Sequence, residues 1–399
     1  MNANYYPQAA RMISLLLLCA IFIGILPFDA KSVGSCLAFE REISAKAAFL
    51  MEAEDRLCLY EKNADTRLGE ASTTKIMTAL VVSEELPLDK VVAVPDEAVG
   101  VEGSSVYLSA GELLSVRELL LALLLESAND AAVALAIATA GSLPAFAELM
   151  NEKATELGLE DTHFKNPHGL YDEEHYTAAR ELAIITAEAL NSEELREIFA
   201  TKSATIPLGA KKVGDEREGK RYLRNHNKML SLYEGAIGVK TGFTKKTGRC
   251  LVSAAERDGM TLICVTLGAP DDWNDHTALL DHGFDSYARV TLYEKGELRI
   301  PYALTGGSEQ YVTATNSEPL TMTLPKGFEI DQAALNSEFP HHFEFAPVEA
   351  GALLGRVTVS LEGRQISSPL IAAYGVPSAK RREHKRFIFS EAGGERHGR

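Results

Sequence analysis

A serine and a lysine, Ser72 and Lys75, stand three residues apart where a predicted helix begins. Residues i and i+3 share one face of a helix, so the hydroxyl and the amine can meet. A serine hydroxyl becomes a nucleophile only when a nearby base removes its proton. A lysine can be that base if burial or a second cation lowers its pKa. The pair equally suits a helix-capping serine beside a solvated lysine, so the pattern alone does not decide.

Two further groups of polar residues could serve the same reaction. Ser127 and Asn129 lie between two helical stretches, where a hydroxyl can relay a proton and a carboxamide can hold a substrate amide. Lys240 and Thr241 end an apolar run that predicts a strand, and both can bind a carboxylate. Gly242 removes a side chain where another backbone must come close. Each of these short patterns also suits an ordinary loop or turn. They indicate an active site only when taken together with the Ser72–Lys75 pair.

The sequence Lys-Thr-Gly occurs twice, at 240–242 and at 246–248. The first copy follows the apolar run 236–239, which predicts a core strand, and Gly238 in that run lets another chain approach its backbone. The second copy follows Lys245, which predicts a charged turn with a solvated lysine. We therefore expect Lys240, and not Lys246, to line the site.

The elements that must position these residues follow from the apolar periodicity. Helices are predicted over 72–80, 113–125, 130–140, 143–157, 177–190 and around 274–287, and strands over 47–52, 57–61, 236–241, 250–255 and 260–267. From about Val290, short runs at 310–315, 320–324 and 354–361 are separated by Gly, Pro and charge, which predicts a small all-β domain that ends near Val376. A basic tail, 377–399, follows it.

The first 38 residues predict a signal peptide and therefore an exported protein. Arg11 precedes the uncharged run 12–26, which has the length of a signal-peptide apolar region and is short for a membrane span. A buried core helix is the alternative. The cleavage site stays open, because the small-x-small run 36–38 is far from the apolar run and Lys31 disfavours a lipoprotein box at 33–36.

Composition excludes some classes of function. The 399 residues hold 40 Lys and Arg against 56 Asp and Glu, a formal charge of -16 that makes the chain a poor ligand for nucleic acid. The five cysteines form no Cys-x-x-Cys pair, which argues against a zinc or redox site. Cys250 and Cys264 fall on two arms of a predicted hairpin, where we expect neighbouring thiols that stay free and buried. No metal site is predicted from the histidines at 163, 168, 175, 226 and 276, since none makes a His-x-x-x-His pair on a helix.

The three motifs occur in a fixed order, Ser-x-x-Lys at 72–75, Ser-x-Asn at 127–129 and Lys-Thr-Gly at 240–242. Together they are the signature of active-site serine penicillin-recognising enzymes. The runs 71–79 (ASTTKIMTA), 166–170 (NPHGL) and 238–244 (GVKTGFT) more closely resemble the low-molecular-mass penicillin-binding proteins that act as D-alanyl-D-alanine carboxypeptidases. The similarity extends from about Ala45 to Tyr287, and the following domain resembles the C-terminal β domain of that family more loosely.

The resemblance implies an α/β fold of the α+β type, with a five-stranded antiparallel sheet, a helical lobe and the active site between them. It assigns a catalytic domain to 39–289 and a small all-β domain to 290–376. Carried over by motif, Ser72 would be the acylated nucleophile and Lys75 its base. Ser127 would relay a proton to the leaving D-alanine, and Asn129 would contact the substrate and Lys75.

The same resemblance assigns a substrate edge. Lys240 and Thr241 would hold the terminal carboxylate beside Gly242, and the backbone N–H groups of Ser72 and Phe243 would form the oxyanion hole. The implied substrate is a peptidoglycan stem peptide that ends in D-Ala-D-Ala. β-Lactam antibiotics would acylate the same serine. No metal or organic cofactor is implied, and no nucleic acid partner.

Two features depart from the family pattern. Many members carry an arginine shortly before the last helix of the catalytic domain, where it helps hold the carboxylate. The corresponding stretch here, 271–276, has none, so carboxylate recognition is expected to rest more on Lys240 and Thr241. Relatives usually end in an anchoring helix, whereas here a basic stretch, 380–386, precedes Phe387-Ile388-Phe389. That tail suggests either peripheral contact with an anionic membrane or a solvated end.

A β-lactamase and a non-catalytic penicillin sensor are the alternatives. The class A β-lactamases need a glutamate in a Glu-x-x-x-Asn spacing that activates water, and the run 188–191 (EALN) does not provide that spacing. The extra β domain argues against a β-lactamase as well. The intact set at 72, 75, 127 and 240 argues against a sensor that lacks catalysis. Nitrocefin turnover and release of D-alanine would separate the three.

Overall fold

The computed structural model describes residues 37–209, 219–330 and 333–379. Residues 1–36 of the predicted signal peptide, among them Cys19 and Cys36, and the basic tail from Lys380 lie outside the described residues. Within those residues, no single helix is long and apolar enough to cross a membrane. The bent pair Asn129–Ala140 and Leu143–Glu156 meets that test of length and composition only when both helices are taken together.

The described residues of the N-terminal part hold nine strands: β1 (Ala47–Glu52), β2 (Leu57–Lys62), β3 (Val91–Ala93), β4 (Leu113–Ser115), β5 (Ser203–Pro207), β6 (Lys220–Arg224), β7 (Ala236–Thr244), β8 (Gly248–Arg257) and β9 (Met260–Leu267). Five of them form one antiparallel sheet in the order β2-β1-β9-β8-β7, so β7 is an edge strand. Strand β9 is buried along its whole length, since both faces of the sheet are covered.

The helices of this part surround the sheet: α1 (Lys75–Glu85), α2 (Val116–Leu125), α3 (Asn129–Ala140), α4 (Leu143–Glu156), α5 (Ala179–Leu190), α6 (Glu193–Ala200), α7 (Met229–Leu232) and α8 (Asp272–Ser286). One apolar cluster joins the helices α1–α6 to one face of the sheet, and a second joins α8 to the opposite face. The predicted antiparallel sheet with a helical lobe is confirmed.

Most predicted helices begin within two residues of the expected position, and two differ for a structural reason. The helix predicted over 113–125 starts three residues late, because Leu113–Ser115 pairs with β3. Ser115 then caps α2: its hydroxyl accepts from the Glu118 N–H, and the Glu118 carboxylate accepts from the Ser115 N–H. This reciprocal cap fixes where the helix begins. The helix predicted over 72–80 is divided into a 3-10 turn, Ala71–Thr74, and α1.

Cys250 and Cys264 lie on the paired strands β8 and β9, and both thiols are free and buried, as expected. The expectation that they come near each other is wrong. Cys250 stands opposite Leu267, whereas Cys264 stands opposite Ser253. An offset of three residues sends the two side chains to opposite faces of the sheet, because side chains alternate along a strand. The two sulfurs belong to different apolar clusters.

The C-terminal part is all β, as predicted. Its strands are β10 (Tyr287–Tyr293), β11 (Ile300–Thr305), β12 (Tyr311–Asn316), β13 (Leu320–Pro325), β14 (Ala334–Glu338), β15 (Glu344–Phe345), β16 (Leu353–Leu361) and β17 (Arg364–Ala372). Six form one sheet in the order β14-β16-β17-β12-β11-β15, and β10 pairs with β13. Arg289 of β10 reaches the β1–β2 turn, where its guanidinium lies 3.2 Å from Asp55 and 3.4 Å from Glu52.

A buried histidine ties α8 to the central sheet. The His276 ring is fully enclosed, with Nδ1 at Ser253 Oγ on β8 and Nε2 2.9 Å from Thr266 Oγ1 on β9. Burial lowers the pKa of His276 to about 3, so the ring is neutral in the folded protein at neutral pH.

We expect this neutral histidine to make folding acid-sensitive. The folded pKa of His276 lies below the unfolded value of 6.5. The contribution of its neutral ring to the unfolding free energy is therefore fully present above pH 6.5 and is lost as the pH falls toward 3. Between pH 7 and pH 5 the wild type should lose about 2 kcal/mol of unfolding free energy relative to a His276→Gln variant. Urea unfolding of both proteins at both pH values measures this change in unfolding free energy. A variant of the exposed His342, His342→Gln, should keep the wild-type pH dependence, and a pH-independent effect of His276→Gln would contradict the idea.

Candidate active site

Ser72 lies in the 3-10 turn that leads into α1, partly open to solvent. Two glycines allow other backbone segments to reach this turn. A Cβ on Gly169 would lie 1.8 Å from the Ala71 carbonyl oxygen, and a Cβ on Gly242 would lie 3.0 Å from the Ser72 nitrogen. The turn is therefore held between the 166–170 loop and the edge strand β7.

Lys75 is fully buried directly behind the serine. Its Nζ lies 3.0 Å from Ser72 Oγ and donates to Asn129 Oδ1 and to the His168 carbonyl oxygen, each at 2.7 Å. Burial, and then the nearby charge of Lys240, hold the pKa of Lys75 well below its usual range. A neutral amine has two hydrogens and one lone pair. In that neutral form the two carbonyl oxygens can accept both hydrogens, which leaves the lone pair for the Ser72 hydroxyl.

Asn129 is fixed from both sides of its amide group. Its Nδ2 donates to the Glu102 carbonyl oxygen at 2.6 Å, so its Oδ1 faces Lys75. Ser127 lies two residues earlier, buried and with a left-handed φ of 59°. A non-glycine residue in that conformation is strained, and such strain concentrates at functional sites. No hydrogen bond links the Ser127 hydroxyl to Lys75 within the described residues.

Lys240, Thr241, Gly242 and Phe243 follow one another on β7, as predicted for the first Lys-Thr-Gly copy. Lys240 is buried, and its Nζ donates to the Thr241 carbonyl oxygen at 2.8 Å. Burial lowers the pKa of Lys240 to about 7. Gly242 brings the strand against the Ser72 turn, and the Phe243 side chain is 64% exposed. The structure thus brings Ser72, Lys75 and Asn129 into direct contact and sets the β7 residues alongside them.

The second Lys-Thr-Gly copy lies in the β7–β8 turn. Lys246 is exposed there, and its ammonium lies 3.6 Å from the centroid of the Tyr171 ring, which is a cation–π contact. This position agrees with the expected solvated lysine.

Two residues that position the site, Asp130 and Glu70, were not predicted. Asp130 accepts from Ser105 Oγ at 2.6 Å and from the Leu108 N–H at 3.0 Å, which fastens the loop around 102–108 to the first turn of α3. Glu70 is fully buried behind the 3-10 turn, with its Oε1 3.2 Å from His175 Nε2. Neither residue belongs to a motif, and only the fold shows what it contacts. Among the described residues, no group of three or more His, Cys, Asp and Glu side chains could hold a metal ion.

Two family models match the chain. The model described as D-alanyl-D-alanine carboxypeptidase, peptidase family S11, matches residues 35–271, more than half of the sequence. The chain belongs to the D-alanyl-D-alanine carboxypeptidase family. The model for the C-terminal domain of penicillin-binding protein 5 matches residues 287–378 of this carboxypeptidase. The family resemblance is confirmed, and neither model describes a β-lactamase or a non-catalytic penicillin sensor.

Named relatives agree with this assignment. The D-alanyl-D-alanine carboxypeptidase DacF of Bacillus subtilis (strain 168) is 32% identical over 371 residues, 91% of this chain and 93% of DacF. The D-alanyl-D-alanine carboxypeptidase of Streptomyces sp. (strain K15) is 37% identical over 257 residues, 61% of this chain and 88% of that protein. The structure of penicillin-binding protein 5 from Haemophilus influenzae superposes with a TM-score of 0.67 at 28% identity, over 86% of this chain and 100% of that one.

The two Lys-Thr-Gly copies give a matched pair of variants. We expect Lys240→Ala to lower the rate of acylation by benzylpenicillin by about 100-fold, because it would remove the group expected to bind the carboxylate of the ligand and the charge that helps lower the pKa of Lys75. Lys246→Ala should change the rate less than about threefold, as expected of an exposed position. Stopped-flow or gel-based labelling with a fluorescent penicillin measures both. The opposite order of losses would require moving the substrate edge by six residues.

Proposed function

We propose that this serine-type carboxypeptidase removes the C-terminal D-alanine from peptidoglycan stem peptides that end in D-Ala-D-Ala, through an acyl-enzyme on Ser72. β-Lactam antibiotics acylate the same oxygen. One observation carries the proposal: the buried Lys75 Nζ lies 3.0 Å from Ser72 Oγ and 2.7 Å from each of two carbonyl oxygens, which can accept both hydrogens of a neutral amine. That arrangement suits a base rather than a surface cation.

Acylation follows from this geometry. Lys75 takes the Ser72 proton as Oγ attacks the carbonyl carbon of the penultimate D-alanine. The developing oxyanion accepts from the backbone N–H groups of Ser72 and Phe243, each worth about 3 kcal/mol in comparable sites. The support for that pair is the close approach of Gly242 to the Ser72 nitrogen. The C–N bond breaks, and the leaving D-alanine receives a proton that Ser127 relays from Lys75.

Deacylation reverses the roles. A water molecule gives a proton to Lys75 and attacks the ester carbonyl, and the tetrahedral intermediate collapses with return of a proton to Ser72 Oγ. Lys75 ends neutral, ready for the next turnover. No metal or organic cofactor takes part in these steps.

The substrate peptide lies along β7 as an added strand, because β7 is the open edge of the sheet. Asn129 holds the amide of the peptide, and Lys240 and Thr241 hold its terminal carboxylate beside Gly242. Peptide binding by an edge strand uses main-chain hydrogen bonds for affinity and side-chain pockets for specificity.

The cellular setting is part of the same proposal. The protein is exported by its N-terminal signal peptide, 1–38, and acts at the extracytoplasmic face of a bacterial membrane or in the wall, where peptidoglycan lies. The catalytic domain spans 39–289 and the β domain 290–376. The basic tail, 377–399, contacts anionic lipids peripherally. Support comes from the sequence of both ends and from relatives named as D-alanyl-D-alanine carboxypeptidases.

Mass spectrometry after incubation with benzylpenicillin tests the nucleophile. The wild type should gain one penicillin adduct on the peptide that contains Ser72 and should release D-alanine from a D-Ala-D-Ala peptide. Ser72→Ala should lose both activities and keep its unfolding midpoint, since only one partly exposed hydroxyl is removed. Ser83→Ala is the control, because the Ser83 hydroxyl donates to the Leu80 carbonyl oxygen of its own helix and has no part in the site. An adduct that persists in Ser72→Ala would reject Ser72.

The β domain should be dispensable for acylation, because every residue of the site precedes it and it has its own apolar cluster. A truncated chain that ends at Val290 should react with benzylpenicillin within about threefold of the full rate. Its unfolding midpoint should fall, because Asp55 loses the N–H of Thr323. A truncated chain that is folded by circular dichroism yet no longer binds penicillin would disprove the domain boundary.

A further inference from the structure

The outer end of β7 needs a cation that stays charged. The proposed function, on which this inference rests, places an ionised peptide carboxylate there. Lys240 is a weak sole partner, because its Nζ is buried and already donates to the Thr241 carbonyl oxygen. An arginine remains charged at any physiological pH and binds carboxylates through two parallel N–H groups.

Arg249 lies on the neighbouring strand at the right register. On β8 it stands opposite Phe243, and Leu251 stands opposite Thr241. Residues that face each other across an antiparallel pair, and residues two apart on one strand, share a face of the sheet. Arg249 is therefore a same-face diagonal neighbour of Thr241, at the usual separation of about 7–8 Å, which an arginine side chain can span.

The Arg249 guanidinium is anchored on one side and open on the other. Its Nη2 lies 2.8 Å from the carboxylate of Asp272, the buried first residue of α8. Its centre lies 5.6 Å from the centroid of the Trp273 ring. The Arg249 side chain nevertheless remains 42% exposed. Since a guanidinium has five N–H donors in a rigid plane, one ion pair leaves a second edge for another carboxylate.

We propose that Arg249 binds the terminal carboxylate of the substrate beside Thr241, and that Asp272 and Trp273 position its guanidinium. The stretch 271–276 contributes no arginine of its own, and it acts instead as the support of one that comes from β8. The competing explanation is an ion pair that only fastens β8 to α8. That explanation predicts a loss of stability with no preference among substrates.

Two esters that differ only in the carboxylate separate these explanations. Acyl-D-alanyl glycolate has a terminal carboxylate, and in the acyl-D-alanine ethyl ester a methyl group replaces it. Arg249→Leu should lower kcat/KM for the glycolate ester by about 100-fold and for the ethyl ester by less than about threefold. Arg249→Lys should lose about tenfold on the glycolate ester alone, because an ammonium keeps the charge and lacks the fork.

The strand offers a matched control in Arg257. It lies eight residues further along β8 on the same face, with its guanidinium 4.4 Å from the centroid of the Tyr233 ring. Arg257→Leu removes a comparable cation–aromatic contact far from Thr241. It should leave the ratio of the two kcat/KM values at the wild-type level, within about threefold.

Each result of these kinetic measurements supports or overturns the proposed role of Arg249. Equal losses on both esters, or no loss on either, would overturn the proposal and leave a structural ion pair. If Arg249→Leu does not fold, the Arg249→Lys ratio decides alone, and an unchanged ratio overturns the proposal. The wild type reports separately on the reaction itself. Absence of both D-alanine release and a penicillin adduct in the wild type would defeat the proposed function together with this inference, whereas an active wild type with unselective variants would defeat only the role of Arg249.

Discussion

The enclosure of one amine, Lys75 Nζ, is the constraint on which the rest of the site depends. Three oxygens from three separate segments surround it: Ser72 Oγ, Asn129 Oδ1 and the carbonyl oxygen of His168. A charged ammonium at this depth would cost several kcal/mol of desolvation. Folding therefore favours the neutral form, and the neutral form is the one that can accept a proton. The burial that shapes the helical lobe therefore also lowers the pKa of this amine.

Backbone contacts complete this arrangement. The Ser72 turn has no room to shift, because Gly169 and Gly242 let two other chain segments press against it. Any side chain at Gly169 would collide with the Ala71 carbonyl, and its φ of 82° disfavours other residues as well. Ser72 is thus held by main-chain packing, while its hydroxyl is in contact with one buried side chain, Lys75. This division explains why glycines stand beside the reactive residues in two of the site segments.

The sequence predicts the sheet and the reactive residues better than their surroundings. Strand bounds at 47–52 and 260–267 agree fully with β1 and β9, because apolar runs flanked by turn residues mark both. The sequence does not predict the hydrogen bond from Lys75 to the His168 carbonyl oxygen, because any residue type can provide a backbone acceptor. The register of strand pairing is the other feature that the sequence does not reveal. The separation of Cys250 from Cys264 and the placement of Arg249 depend on which residues pair, and composition carries no such information.

The open side of β7 has a cost outside catalysis. A strand edge with unpaired N–H and C=O groups is also the surface by which folded chains add to one another. If the substrate adds to β7 as proposed, covering that edge would exclude it. The exposed lysines of the adjoining turn, Lys245 and Lys246, put positive charge at the end of the strand, and charge of this kind discourages pairing between copies. The proposed substrate binding requires the nine residues of β7 to stay open, whereas protection from self-association would be served by covering them. The positive charge of the adjoining turn disfavours self-association without closing the edge.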